Sequence, residues 1–247
     1  EKDKVDELIG AQVTNLHNAV NRIRYSTKPI VTATQGRALG GGAEILLASP
    51  YVVAAAESYI GLVEVGVGVI PSGGGLAELA ERVLTAPDQK SNKINKMAHV
   101  VTRIAMGHVA MSAYEAKRDL ILRDTDTIIA NGDHRIAVAL EKADFIARTN
   151  YVPRTELTFE ALGEDFTAIV EGQLDSMRLG NFISDYDMEL GLAVADTLAG
   201  GKVPKRTYVN QQWIQHLEKE QFVRLAKNQK TYERIAHMLE KKKPLRN

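Results

Sequence analysis

The sequence of 247 residues contains no cysteine. This absence excludes disulfides, zinc-thiolate sites and a thiol nucleophile. The six histidines do not follow a metal-ligand spacing such as His-Glu-x-x-His, so we expect no metal. An excess of one charge is lacking too, because 31 basic residues balance 31 acidic ones. The chain therefore has no overall field that would attract nucleic acid or an anionic membrane.

Long apolar runs are also absent. No stretch approaches the ~20 apolar residues that a membrane-spanning helix needs, and the N-terminus lacks the apolar core of a signal peptide. We therefore expect a soluble, cytoplasmic protein that binds neither membrane nor nucleic acid. The first residue is Glu1 rather than Met, and a helical pattern follows at once. We expect the chain to be part of a longer polypeptide.

The first ninety residues alternate between helical and strand patterns. Apolar residues recur every three or four positions over 5–23, which predicts an amphipathic helix. A short β-branched strand, 30–34, is expected to end at Gly36, and a second helix should begin within 40–42. Another apolar strand follows at 51–56. Such alternation predicts an α/β fold with parallel strands.

The remainder is mostly helical in pattern. A second glycine-rich turn, 71–75, leads into another helix. Ser112 and Glu115 fit a capping box at the start of a later helix. A short strand is expected at 128–130, and one long helix at 211–239.

Two glycine-rich turns, each associated with a glutamate, carry the chemical information. Glycine at a helix start lets backbone amides approach a ligand closely, and these free amides favour negative charge. Such a turn is suited to hold an oxyanion. Glu44 follows the first turn, where a carboxylate also fits a purely structural role at the helix N-terminus.

Glu64 lies in the apolar run 60–70, where burying an uncompensated charge is costly. A buried carboxylate has a raised pKa, which suits proton exchange near neutral pH. Two carboxylates beside an oxyanion site are what hydration of a thioester-conjugated alkene requires. One takes a proton from water and the other delivers a proton to the α-carbon.

Several motifs occur in an order that resembles the crotonase, or enoyl-CoA hydratase, superfamily. They are Lys-Pro-Ile-Val at 28–31, Gly-x-Ala-Leu-Gly-Gly-Gly-x-Glu at 36–44, Glu64 with Pro-x-Gly-Gly-Gly at 71–75, and Ser-Ala-x-Glu-Ala at 112–116. The resemblance implies an α/β, ClpP/crotonase-like spiral of β-β-α units. It further implies a crotonase-like core over 1–130 and a mainly helical C-terminal region over 131–247.

The resemblance also assigns roles to residues. It implies that the Gly41 amide stabilises the oxyanion, that Glu44 activates water and that Glu64 protonates the α-carbon. The Ser72 amide would hold the water, at a position where the family usually has glycine. The substrate-binding residues implied in the same way are Gly40, Gly42, Leu62 and Val63.

The family's first third, with much of its coenzyme A site and a second oxyanion amide, has no counterpart in the sequence. The resemblance extends to the C-terminal hydratase region of bacterial fused 3-hydroxyacyl-CoA dehydrogenase/enoyl-CoA hydratase proteins. It implies hydration of trans-2-enoyl-CoA in fatty acid β-oxidation, with an acyl-CoA thioester as substrate and no cofactor in this chain. NAD is expected only in an upstream dehydrogenase domain, and a thiolase partner and an oligomer are further expectations.

Two alternatives remain open from the sequence. An enoyl-CoA isomerase would typically lack the carboxylate at the position of Glu44, so the presence of both glutamates favours a hydratase. A catalytically silent crotonase fold, used for docking or assembly, is the second alternative. Carboxylates turned towards bulk water would favour that scaffold.

Overall fold

The computed structural model describes residues 2–149 and 151–247. Within these ranges the chain forms ten α-helices and five strands. In chain order they are α1 (Lys2–Arg24), β1 (Val31–Leu39), α2 (Gly41–Ala48), β2 (Tyr51–Gly61), α3 (Gly75–Thr85), α4 (Lys90–Ala105), α5 (Ala113–Arg118), β3 (Thr127–Ile129), α6 (Arg135–Arg148), β4 (Thr158–Glu160), α7 (Gly163–Leu179), α8 (Asp185–Ala199), β5 (Tyr208–Asn210), α9 (Gln211–Ala226) and α10 (Gln229–Lys241). Every helix in this part of the chain is too short or too polar to cross a membrane.

The main sheet has the order β1-β2-β3, and both strand pairs are parallel, as the sequence predicts. The expected end of the first strand at Gly36 is wrong. The register shifts between Thr34 and Gly36, whose φ is 69°, and the strand then continues to Leu39. This bulge accommodates Gly36, and β1 stays paired with β2 beyond it. Leu39 lies opposite Gly61, so both strands finish at the same edge of the sheet.

One hydrophobic core joins the strand-containing region to the C-terminal helices. Its buried residues come from the first half of the chain, such as Val52 and Leu76, and from the second half, such as Leu190 and Ile214. Apolar residues of α1 also face inwards, with Val20 only 1% exposed, which confirms the helix predicted from the periodicity. The predicted division at residue 130 stays a prediction.

The predicted long helix over 211–239 is wrong, because α9 ends at Ala226 and α10 begins at Gln229. The Asn228 side chain accepts a hydrogen bond from the Lys230 amide at 3.0 Å. Asparagine in this capping position satisfies a free amide of the new helix. Because the chain turns here, α10 packs against the 3-10 turn Glu64–Val67, which follows β2.

The capping serine predicted for the later helix is confirmed in part. The Ser112 hydroxyl accepts a hydrogen bond from the Glu115 amide at 3.1 Å. The Glu115 carboxylate, however, accepts from the Met111 amide at 2.8 Å rather than from Ser112. The second hydrogen bond of the capping box therefore comes from the amide of the preceding residue instead of from that of the capping serine.

Candidate active site

Glu44 lies in the first turn of α2, directly beyond the carboxyl end of β1. Its side chain is buried, with only 3% of the residue exposed. One carboxylate oxygen accepts hydrogen bonds from the amides of Gly73, at 2.6 Å, and Gly75, at 3.1 Å. The two glycine-rich turns of the sequence therefore meet at this carboxylate.

Glu64 opens the 3-10 turn that follows β2, next to the first glycine turn. The Gly40 amide donates to the Gly61 carbonyl at 2.9 Å, which ties the ends of β1 and β2 together. A Cβ atom on Gly40 would lie 3.1 Å from Oε1 of Glu64. Since Gly40 also has a φ of 55°, a glycine serves both the backbone conformation and the approach of the carboxylate.

Glu64 Oε2 is buried and has no hydrogen-bond partner among the described residues. A buried polar atom of this kind costs free energy unless a ligand or water satisfies it. The other oxygen lies beside Gly40, at the start of α2. The orphaned oxygen is thus available to a molecule bound next to the first glycine turn.

Burial raises the pKa of both glutamates, and backbone amides favour the ionised form of Glu44 against this effect. Burial raises the pKa of Glu44 well above its usual value, and the charges of Glu64 and Glu218 raise it further. The Gly73 and Gly75 amides act in the opposite direction, because they stabilise the carboxylate. Burial likewise raises the pKa of Glu64 to about 7, with a further contribution from Glu218.

The predicted oxyanion donor, Gly41, occupies the first position of α2. The first amides of a helix have no acceptor within the helix, and in the described part of the chain the Gly41 amide donates to no other protein group. Gly41 directly follows Gly40, whose Cβ position lies 3.1 Å from Oε1 of Glu64. A carbonyl oxygen placed there would meet a free backbone donor.

The other predicted site residues differ in their surroundings. Ser72 is 8% exposed and immediately precedes the turn that holds Glu44. Gly42 lies in the first turn of α2, and half-buried Val63 comes directly before Glu64. Leu62 is buried within the hydrophobic core. The roles of these residues in catalysis and in substrate binding stay predictions.

Glu218 of α9, a fully buried carboxylate close to the site, was not predicted from the sequence. Its oxygens accept hydrogen bonds from the amides of Gly74 and Ala77, both at 2.9 Å. The segment Glu-Lys-Glu at 218–220 looks like the solvated face of a helix. Only the contact with residues more than 140 positions away reveals the role of Glu218.

A separate cluster brings together His108, Glu115 and Asp119, whose potential ligand atoms lie within 4.8 Å of one another. Arg103 donates to both carboxylates at 2.9 Å. A guanidinium already neutralises these carboxylates, as in an ordinary surface ion-pair network. We assign the cluster a structural role.

Comparison with known proteins indicates the family of this chain. Residues 6–103 match the family model described as enoyl-CoA hydratase/isomerase. A probable 3-hydroxyacyl-CoA dehydrogenase of Bacillus subtilis is 37% identical over 235 residues, which is 95% of this chain and 29% of that protein. The human peroxisomal bifunctional enzyme is 40% identical over 72 residues, or 29% of this chain and 10% of that protein. The chain thus matches only a part of each relative.

Solved structures give the fold. An enoyl-CoA hydratase of Rhodobacter sphaeroides superposes with a TM-score of 0.61 at 16% identity, covering 98% of this chain and 70% of that one. A putative enoyl-CoA hydratase of Streptomyces avermitilis gives 0.52 at 18% identity, covering 91% and 60%. The crotonase-like α/β fold with a helical C-terminal part is therefore confirmed. Residues 6–103 thus match the enoyl-CoA hydratase/isomerase family, and the chain has the crotonase-like fold of the solved hydratases.

Proposed function

We propose that this chain provides the two acid-base residues of a hydratase that adds water to trans-2-enoyl-CoA. Two observations carry the proposal. Glu44 is buried and Glu64 is half-buried with a buried, unpartnered Oε2 among the described residues, and both lie near the α2 N-terminus, where the Gly41 amide is free. Buried acids with raised pKa values suit proton transfer near neutral pH. Neither glutamate is turned towards bulk water, which argues against the scaffold alternative.

In the proposed reaction, Glu44 acts in its ionised form, which the Gly73 and Gly75 amides stabilise, and takes a proton from water as the water oxygen bonds to the β-carbon of the thioester. The electron pair of the double bond moves towards the thioester carbonyl, and the resulting enolate oxygen accepts a hydrogen bond from the Gly41 amide. Glu64, in its protonated form, then delivers a proton to the α-carbon. Its pKa of about 7 means that a large share of Glu64 carries this proton at neutral pH.

The isomerase alternative uses a single carboxylate to move a proton between two carbons. The presence of Glu44 favours the hydratase, because two backbone amides hold the Glu44 carboxylate in place. An isomerase has no water to activate and so would not need this second, fixed acceptor. The hydratase is therefore the better explanation of the pair.

Fusion with a dehydrogenase is part of the proposal. The relative from Bacillus subtilis carries the name 3-hydroxyacyl-CoA dehydrogenase, and the human relative is named a bifunctional enzyme. A hydratase product, 3-hydroxyacyl-CoA, is the substrate that such a dehydrogenase oxidises. We propose a cytoplasmic protein in fatty acid β-oxidation, with NAD bound by the dehydrogenase part and a thiolase as a further partner in an oligomeric assembly.

The test is hydration of crotonyl-CoA by the full-length protein that contains this chain. The reaction is monitored through the decrease in absorbance of the conjugated thioester. We expect Glu44→Gln and Glu64→Gln each to lower kcat by about 10²–10⁴-fold, the usual contribution of a general acid or base. Glu57→Gln, on an exposed residue of β2, is the matched control. A wild-type protein without turnover, or full activity in both variants, would contradict the proposed function.

A further inference from the structure

Glu218 holds the beginning of α3 from the side of α9. Its Oε2 accepts from the Gly74 amide and lies 2.9 Å from Nε2 of His17, while its Oε1 accepts from the Ala77 amide. Gly74 is the N-cap of α3 and Ala77 lies in its first turn. A carboxylate in this position satisfies free helix amides and interacts favourably with the helix dipole.

Glu44 and Glu218 divide the amides of one turn between them. Gly73 and Gly75 donate to Glu44, whereas the intervening Gly74 donates to Glu218. Successive amides therefore alternate between two buried carboxylates, one from α2 and one from α9. Movement of Glu218 would rotate the Gly74 peptide groups and disturb the donors to Glu44.

The turn has little freedom to adopt another arrangement. Gly74 has a φ of 89°, and a Cβ atom on it would lie 3.0 Å from Nε2 of Gln215 and 3.4 Å from Nη2 of Arg24. Arg24 also donates to the Gly74 carbonyl at 3.2 Å. Side chains of α1 and α9 thus enclose the face of the turn opposite Glu44.

We propose that Glu218 is a positioning residue, which fixes the Gly73–Gly75 amides so that they hold Glu44 in its working orientation. Glu218 is fully buried and its partners are His17 and the amides of Gly74 and Ala77, so it acts on Glu44 through the turn. The inference rests on the proposed function, because it assigns Glu218 to the same acid-base site. It adds a residue of the C-terminal helices to a site otherwise built from the first half of the chain.

The negative charge of Glu218 also influences the ionisation of Glu44 and Glu64. It raises the pKa of Glu44 and that of Glu64, in each case together with burial. The other charged or titratable groups that face this region are His17 and Arg24 of α1 and Glu78 of α3. Arg24 is paired with Glu78, so His17 is the direct titratable partner of Glu218.

The proposal is tested by amide hydrogen exchange of the full chain, followed by NMR. In Glu218→Gln, we expect the Gly73 and Gly75 amides to exchange faster than in the unsubstituted chain, because the turn that directs them towards Glu44 has lost its carboxylate partner. Glu220→Gln makes the same change of charge on α9, at a side chain that is 58% exposed, and should leave both exchange rates unchanged.

A folded Glu218→Gln protein in which the Gly73 and Gly75 amides exchange as slowly as in the unsubstituted chain would overturn the proposal. If that variant does not fold, hydrogen exchange in the unsubstituted chain decides instead. The Gly74 and Ala77 amides should exchange slowly when Glu218 holds them, and exchange at the rate of exposed turn amides would also overturn it. Neither measurement requires turnover, so failure of the hydratase assay is distinguishable from failure of this inference.

Discussion

Arg234 of α10 donates a hydrogen bond to the carbonyl of Val65, the residue directly after Glu64, at 2.9 Å. The same guanidinium nitrogen donates to Asp187 of α8, also at 2.9 Å. Arg234 is fully buried and Asp187 is 2% exposed. The turn that carries Glu64 is thus fixed by a buried ion pair between two C-terminal helices.

Removal of this cation should destabilise the fold. We expect Arg234→Met to lower the free energy of unfolding by about 3 kcal/mol, because it leaves a buried carboxylate with one fewer partner. Asp187 keeps its contact with Arg246, which limits the loss. Urea denaturation of both proteins at neutral pH measures the difference.

Arg224→Met is the matched control. Arg224 pairs with Glu189 between α9 and α8, but these side chains are 50% and 40% exposed. Exposed pairs contribute less than about 1 kcal/mol, so a small loss is expected. If both variants lost the same free energy of unfolding, burial would not make the Arg234 pair more stabilising than the exposed Arg224 pair.

The parts of the site that could be predicted from the sequence are local in the chain. The parallel strands and the glycine turn after β1 were predicted from local patterns, and the structure shows that β1 and β2 end at one edge of the sheet, which brings this turn close to Glu64. Their order and spacing also carry the family resemblance. By contrast, the bulge before Gly36 lengthens β1, because pairing with β2 outweighs the local preference of glycine.

Contacts between distant segments could not be predicted. Glu218 belongs to a helix rich in charged residues, and no local pattern distinguishes it from its exposed neighbour Glu220. Its burial depends on partners at Gly74 and Ala77, 144 and 141 positions away. The break between α9 and α10 was missed for a different, local reason, since Asn228 caps the start of α10 within an otherwise continuous helical period.

Gly74 is expected to tolerate no side chain. Its φ of 89° strains any L-residue, and Gln215 and Arg24 occupy the space where a Cβ would lie. We expect Gly74→Ala to lower the free energy of unfolding by more than about 1 kcal/mol. The measurement is thermal or urea unfolding of the purified chain.

Gly172 provides the opposite case within α7. It is exposed, and a Cβ atom there would meet nothing within 4 Å. Since alanine favours a helix interior over glycine, Gly172→Ala should stabilise the chain by about 0.5–1 kcal/mol. A loss of stability in this control, or none at Gly74, would refute the steric argument.

Glu78 of α3 is fully buried and is the common partner of four guanidinium groups. These groups belong to Arg24, Arg82, Arg123 and Arg154. Burial alone would raise the pKa of Glu78, but the four cations lower it well below its usual value. We expect Glu78→Gln to cost about 3–5 kcal/mol at neutral pH, because it leaves four clustered cations without their central anion.

The effect of Glu78 on stability depends on pH in a defined direction. A carboxyl with a lowered folded-state pKa stabilises the protein above its unfolded pKa, and this contribution is lost as pH falls through the folded value. The difference between wild type and Glu78→Gln should therefore shrink in acid. Asp144→Asn, in an exposed pair with Arg148, is the control and should cost less than about 1 kcal/mol. An equally large loss at Asp144 would contradict the role of burial.

Glu64 should show the reverse dependence on pH. Its pKa rises from 4.5 to about 7 in the folded chain, mainly because of burial. Between these two values the folded state binds more protons than the unfolded state, so stability falls as pH increases. Above about pH 7 the penalty is complete, and the difference in pKa corresponds to a cost on the order of 3 kcal/mol.

Glu64→Gln removes this penalty, because an amide does not ionise. The variant should gain stability relative to wild type as pH rises from about 4.5 to 7, and the gain should then remain constant. Urea unfolding of both proteins across this range measures it, with Glu57→Gln on the exposed face of β2 as the control. A gain that does not vary with pH would mean that Glu64 is ionised without cost in the folded chain. The acid proposed to protonate the α-carbon would then lack its proton at neutral pH.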